Sequence, residues 1–157
     1  MILLLLACAG EEPQAAWSLE DWGGPAGAFY ELVPLDEPDS LPLLVQVEAD
    51  TWEFRYGDNW RTAQQQGEAE RTVGGQGYLV GTSLLLPSEL EVGSSAQGTR
   101  IQARGEVEVW YGSFPDVLSV EVGEGELAGP AAFAAGVGPI LLSWGGKEWE
   151  LAGYELD

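Results

Sequence analysis

The chain has 157 residues, with 26 carboxylates against six lysines and arginines, no histidine and one cysteine, and a formal net charge of −20. That length suits one domain, and so acidic a surface repels nucleic acid and anionic headgroups. The lack of histidine excludes Ser-His and Cys-His catalysis and imidazole metal sites. A single cysteine excludes an intramolecular disulfide, a zinc ribbon and a CxxC redox motif.

The chain opens Met1-Ile2-Leu3-Leu4-Leu5-Leu6-Ala7-Cys8-Ala9-Gly10-Glu11-Glu12. This apolar run is far shorter than the ~20 residues that span a bilayer. Leu5-Leu6-Ala7-Cys8 resembles the lipobox of bacterial lipoproteins. The resemblance implies cleavage before Cys8 and lipid attachment to its thiolate. It also implies a stable anchor of several acyl chains, and Ala9 implies the outer membrane rather than the inner one. The segment departs from that family in having no Lys/Arg n-region and a short apolar core. The expected organisation is a signal segment over 1–7, a tether over 8–16 and a β-domain over 17–157. The alternative is an apolar terminus with an incidental buried Cys8.

Beyond the tether the chain is rich in glycine (22) and proline (9), and no stretch sustains helical apolar spacing for more than about two turns. Asp21–Ala28 and Leu35–Ser40 read as Gly/Pro loops. Thr51–Tyr56 alternates, with Trp52, Phe54 and Tyr56 on one face and Thr51, Glu53 and Arg55 on the other. Tyr56-Gly57-Asp58-Asn59 reads as a turn. Arg61–Arg71, with three consecutive glutamines, reads as a short helix or a mobile loop. Gly74-Gly75-Gln76-Gly77 precedes an extended run from Tyr78 to Leu86. Glu106–Tyr111 alternates again, placing Val107, Val109 and Tyr111 opposite Glu106, Glu108 and Trp110. Leu118, Val120 and Val122 form an inward set, as do Ile140, Leu142 and Trp144. Gly145-Gly146 fits a two-residue hairpin turn that requires positive φ. The expected fold is all-β: a single domain of about eight to ten antiparallel strands, as a curved sheet, half-barrel, barrel or sandwich, with at most one short helix.

The C-terminal half carries a second resemblance. Leu86-Pro87-Ser88-Glu89-Leu90-Glu91-Val92-Gly93, Gly112-Ser113-Phe114-Pro115-Asp116-Val117-Leu118 and Phe133-Ala134-Ala135-Gly136-Val137-Gly138-Pro139-Ile140 occur in that order, followed by Trp149-Glu150-Leu151. This order resembles that of secreted and lipid-anchored bacterial proteins with a curved antiparallel sheet. Their structural analogy is the half-barrel of lipoprotein carriers. The resemblance implies fold and location but no activity. Independently of it, Gly136 and Gly138 ahead of an apolar strand mark a bulge, a sharp bend or a close backbone approach.

Carboxylates are the only abundant reactive groups. Asp36, Glu37, Asp39, Glu48 and Asp50 form one cluster, and Glu121, Glu124 and Glu126 another. A carboxylate pair hydrolyses glycosides when ~5–9.5 Å apart in a cleft, and Trp52, Trp60, Trp110, Trp144 and Trp149 offer sugar-stacking faces. Acids two apart in a strand, such as Glu106/Glu108 and Glu148/Glu150, instead share a solvated face. No Asp-x-Asp-x-Asp-Gly calcium loop is present, and no metal or cofactor is implied. Arg55, Arg61, Arg71, Arg100 and Arg104 are expected to pair at the surface.

The expected function is that of a non-enzymatic, lipid-anchored protein of the bacterial cell envelope. It meets the membrane through its N-terminal lipid and binds no nucleic acid. Its partner is a hydrophobic ligand or an envelope protein, with Trp52, Phe54, Tyr56 and Trp110 as the ligand-binding residues. The alternatives are a carboxylate-dependent glycan hydrolase and a purely structural surface lipoprotein. The oligomeric state is left open.

Overall fold

A computed structural model describes residues 17–57 and 64–157. Cys8, the tether, Asp58, Asn59, Trp60 and Arg61 lie outside these residues. Among the described residues, twelve antiparallel strands follow one short helix, α1 (Leu19–Gly23). The first six are β1 (Phe29–Pro34), β2 (Leu43–Val47), β3 (Thr51–Tyr56), β4 (Gln65–Gly74), β5 (Gly77–Val80) and β6 (Ser83–Pro87). The rest are β7 (Ser95–Ala96), β8 (Thr99–Val109), β9 (Gly112–Val122), β10 (Gly129–Ala134), β11 (Gly138–Trp144) and β12 (Lys147–Glu155).

Strand order is β6-β5-β4-β3-β2-β1-β12-β11-β10-β9-β8-β7. Every neighbour but one pair is consecutive in the chain; the exception is β1 with β12, which run antiparallel from Phe29↔Glu155 to Pro34↔Trp149. The sheet is therefore a meander whose two halves meet at the first and last strands. It curls until β6 lies against β8. Side chains rather than a backbone ladder close this seam. The Thr99 hydroxyl donates to the Leu84 carbonyl at 2.6 Å, and the Ser83 hydroxyl accepts from the Leu127 amide at 3.0 Å. Both hydroxyls are buried, so each satisfies a backbone group that the incomplete ladder leaves over.

The expected inward faces of β3, β9 and β11 hold, whereas that of Val107, Val109 and Tyr111 stops at Val109. Trp52 and Phe54 are buried beside Leu43, Val45 and Val47 of β2, and Leu118, Val120, Val122, Ile140 and Leu142 join the same core. Trp22, Tyr30, Trp52, Tyr78 and Phe133 are the largest fully enclosed aromatics, so the lower barrel is filled by its own side chains.

Helix α1 closes one end. Five residues make no stable helix alone. Ser18 and Asp21 form a reciprocal capping box, which contributes about 1 kcal/mol. Burial of Trp22 and close packing supply the rest: a Cβ at Gly23 would overlap the Tyr78 ring, and one at Gly138 would overlap the Tyr30 hydroxyl. Tyr30 donates to the Val137 carbonyl in the β10–β11 turn. Beneath the plug lies Arg71, whose side chain is 2% exposed. It donates to the carbonyls of Gly24 and Ala49 at 3.3 and 2.8 Å and to the Tyr78 hydroxyl at 3.3 Å. The Trp52 indole N–H donates to that same hydroxyl at 2.9 Å.

Four local expectations are corrected. The strands among the described residues number twelve rather than eight to ten. Gln65–Arg71 is strand, not helix or loop, because its register with β3 overrides the helical preference of Gln, Glu and Ala. Tyr78–Leu86 splits into β5 and β6 at Gly81, whose φ of 59° makes a tight turn. Asp21–Ala28 begins inside α1 rather than as loop. In addition, Arg71 is buried instead of pairing at the surface, and β8 ends at Val109, leaving Trp110 and Tyr111 as the turn into β9.

Arg71→Ala strips partners from two buried carbonyls and a tyrosine hydroxyl, and a loss of about 3–5 kcal/mol is expected in urea unfolding. Glu20→Gln removes only the half-exposed ion partner at 3.8 Å and shifts stability by less than about 1 kcal/mol. Burial raises both Tyr30 and Tyr78 above the ordinary tyrosine range, with Arg71 partly opposing it. The folded chain therefore keeps protons that the unfolded chain loses. This stabilisation is complete below about pH 10 and is lost as pH rises from there toward the raised values. Tyr30→Phe is expected to lower neutral-pH stability by about 1 kcal/mol and to flatten the alkaline decline; a decline as steep as wild type contradicts the assignment.

Candidate functional site

β11 runs from Gly138, under α1, to Trp144 at the other end of the barrel. Seven residues of strand separate these ends by about 20 Å. There Gly145 and Gly146, with φ of 60° and 76°, form the expected hairpin turn into β12. The turn sets Trp144 opposite Lys147 and Leu142 opposite Trp149. Trp144 and Trp149 are thus diagonal neighbours on the inner face. Trp149 is buried, and its indole N–H donates to the Trp144 carbonyl at 2.9 Å, which fixes the ring. Tyr56, the last residue of β3, completes the group. Ring centroids lie 5.7 Å apart for Tyr56–Trp149, 5.9 Å for Trp144–Trp149 and 6.1 Å for Tyr56–Trp144. The tilted and edge-on angles are those that aromatic quadrupoles favour.

These rings form one wall of a cleft of roughly 580 Å³, whose remaining lining is Gln65, Glu126, Gly145, Gly146 and Lys147. Two smaller spaces continue it. One of about 180 Å³ shares Gln65, Glu126 and Trp144 with the cleft and adds Phe54, Gln66, Gly67 and Glu68. The other, of about 300 Å³, shares Phe54, Glu68 and Glu126 and reaches Glu70, Val80 and Leu127. Together they make a groove between β4 and the β9–β10 turn. It has an apolar floor and an acidic rim, the combination that orients an amphipathic ligand.

The sequence-expected residues divide. Tyr56 lines the cleft and Phe54 its continuation. Trp52 is fully buried, with its N–H engaged by Tyr78, so it packs the core. Trp110 is 61% exposed but lies in the β8–β9 turn, where its amide donates to the Glu150 carboxylate at 3.2 Å. Neighbouring Tyr111 packs on Phe114 and Tyr154, at 6.0 and 5.3 Å between centroids. The four residues therefore form no single site. Trp144 and Trp149 were legible as inward or stacking residues, but their union with Tyr56 required the β1–β12 closure, which no local pattern encodes.

Among the carboxylate clusters read from sequence, Glu126 alone reaches the groove. Glu68 and Glu70 join it from β4. Among the described residues no group of three or more His, Cys, Asp or Glu is placed to hold a metal ion. Comparison with protein-family models, with curated proteins and with solved structures yields no match.

Trp149→Ala removes a buried, hydrogen-bonded ring and is expected to cost about 3–5 kcal/mol in urea unfolding. Trp144→Ala removes a half-buried ring contact and is expected to cost about 0.5–1.5 kcal/mol, leaving a folded domain with a stripped cleft.

Proposed function

We propose that residues 17–157 form a non-enzymatic binding domain, held in the bacterial cell envelope by a lipid on Cys8, whose ligand docks in the Tyr56–Trp144–Trp149 cleft. The observation that carries this reading is an aromatic wall left accessible at the end of the barrel opposite its helical plug. Because large side chains fill the interior below the cleft, the ligand binds at the mouth and is not swallowed whole as in a deep carrier cavity. The two resemblances of the sequence, to the lipobox and to lipid-anchored curved-sheet proteins, support the envelope location, with Ala9 favouring the outer membrane. In a chain of net charge −20, an acidic domain on a short tether is pushed away from an anionic membrane surface, which keeps the mouth free for partners.

Glycan hydrolysis is the weaker reading. It needs two carboxylates facing one space ~5–9.5 Å apart. The aromatic cleft presents a single carboxylate, Glu126; Glu68 shares only the smaller space beyond it, and its register with Glu53 sets it on the rim rather than on the inward face of Phe54 and Gly67.

Two experiments test the proposal. Globomycin is expected to accumulate the unprocessed precursor, and Cys8→Ser to release the chain from membranes; a Cys8→Ser protein that fractionates like wild type removes the lipid anchor from the account. For the cleft, the neutral dye Nile red is expected to bind the domain with an affinity that Trp144→Ala lowers at least about fivefold. Equal dye affinity in the two proteins rejects the cleft as the binding site.

A further inference from the structure

The groove borders an unused strand edge. β4 pairs with β3 from Gln65 to Glu70, but its pairing with β5 begins only at Arg71↔Val80. The Arg71 amide donates to the Asp50 carbonyl on the β3 side, and the Glu70 carbonyl accepts from Gly81 on the other side. In an antiparallel ladder these directions alternate residue by residue. The backbone N–H and C=O groups of Gln66 and Glu68 therefore point away from β3, toward the groove, and have no ladder partner among the described residues. Such an edge is a template for one more strand.

Side-chain placement beside that edge is selective. Gly67 faces inward beside Phe54, and a Cβ built there meets nothing within 4 Å. The space before the apolar floor is thus vacant at the position where an added strand would lay its inward side chains. The rim is acidic: Glu68 and Glu126 line the same narrow groove, with Glu70 further along. Among the described residues Lys147 is the one cation lining these three spaces, and Arg55, paired with Glu53, lines the adjoining face beside Gln66 and Glu68. We propose that the groove takes an extended, basic peptide segment of a partner protein as a strand added beside β4. Its alternate apolar side chains lie over Phe54 and against Trp144, and its intervening Lys or Arg side chains meet the glutamate rim. This rests on the reading of the cleft as a binding site and names the partner class for it.

The test uses residues 17–157 and immobilised heptapeptide pools that alternate lysine with varied apolar residues, against pools with glutamate in place of lysine. The lysine pool is expected to be retained at least about tenfold better, with loss at high salt and with new hydrogen-exchange protection at Gln66 and Glu68. Gln66→Pro deletes an edge donor that the free domain does not use, and Gly67→Leu fills the vacant space; each is expected to reduce retention by about tenfold or more. Backbone N-methylation of the peptides at alternate residues removes the ladder without altering the protein and is expected to do the same. Equal retention of the two pools, or N-methylated peptides retained like their parents, overturns strand addition. If Nile red still binds and still responds to Trp144→Ala, that failure belongs to the peptide inference alone; if the dye response is also absent, the cleft reading fails with it.

Discussion

The Arg71 guanidinium joins three segments distant in sequence: Gly24 behind the plug, Ala49 between β2 and β3, and Tyr78 in β5. A cation removed from water needs acceptors for its donors; here two carbonyls and a hydroxyl take up both terminal nitrogens, while the buried Nε has no partner among the described residues. The same contacts satisfy backbone oxygens that no ladder reaches. Since a five-residue helix has little stability of its own, the plug persists because Arg71, Trp22 and Tyr30 hold it to the barrel. Hairpin β8–β9 adds to this. Arg104 is clamped by Asp116 through two 2.8 Å bonds and lies 5.3 Å from the Trp22 ring centroid, within cation–π range.

Sealing one end makes the other distinctive. A meander joined through its first and last strands and curled until β6 meets β8 fills its lower part with Trp22, Tyr30, Trp52, Tyr78 and Phe133 and concentrates the remaining space at the mouth. The mouth combines a rigid aromatic wall with backbone groups left over by incomplete pairing. Rigidity comes from ordinary devices: a two-glycine turn, a buried indole bonded to the preceding strand, and edge-on ring packing. The strong negative charge gives this mouth a sign. It discourages anionic partners and accelerates encounter with basic ones.

Much of this was legible in the sequence. Period-two alternation located the inward faces of β3, β9 and β11, and Gly145-Gly146 announced its turn. A close approach was one of three readings of Gly136 and Gly138 ahead of an apolar strand, and Gly138 realises it against Gly24 and Tyr30. What escaped has physical reasons. Gln65–Glu70 carries no apolar alternation because only its backbone is needed for pairing with β3. Arg71 looked like any surface arginine, since nothing local says that Gly24 and Ala49 will aim carbonyls at it. The β5–β6 turn was hidden because both strands are apolar and a single Gly81-Thr82 separates them. Trp110 read as a strand residue because the alternation was followed to Tyr111, two residues past the true end of β8. The cleft itself joins β3, β11 and β12, and residues 93 apart in sequence, such as Tyr56 and Trp149, meet only through barrel closure.

The central claim is a barrel sealed at one end and open at the other, and native-state hydrogen exchange tests it most directly. The Trp22 and Gly24 amides of the plug are expected to exchange only through global unfolding, with the denaturant dependence of the β1–β12 ladder. The Gln66 and Glu68 amides are expected to exchange from the native state without unfolding. Plug amides that open while the β1–β12 ladder stays closed, or Gln66 and Glu68 amides protected like that ladder, would contradict the account.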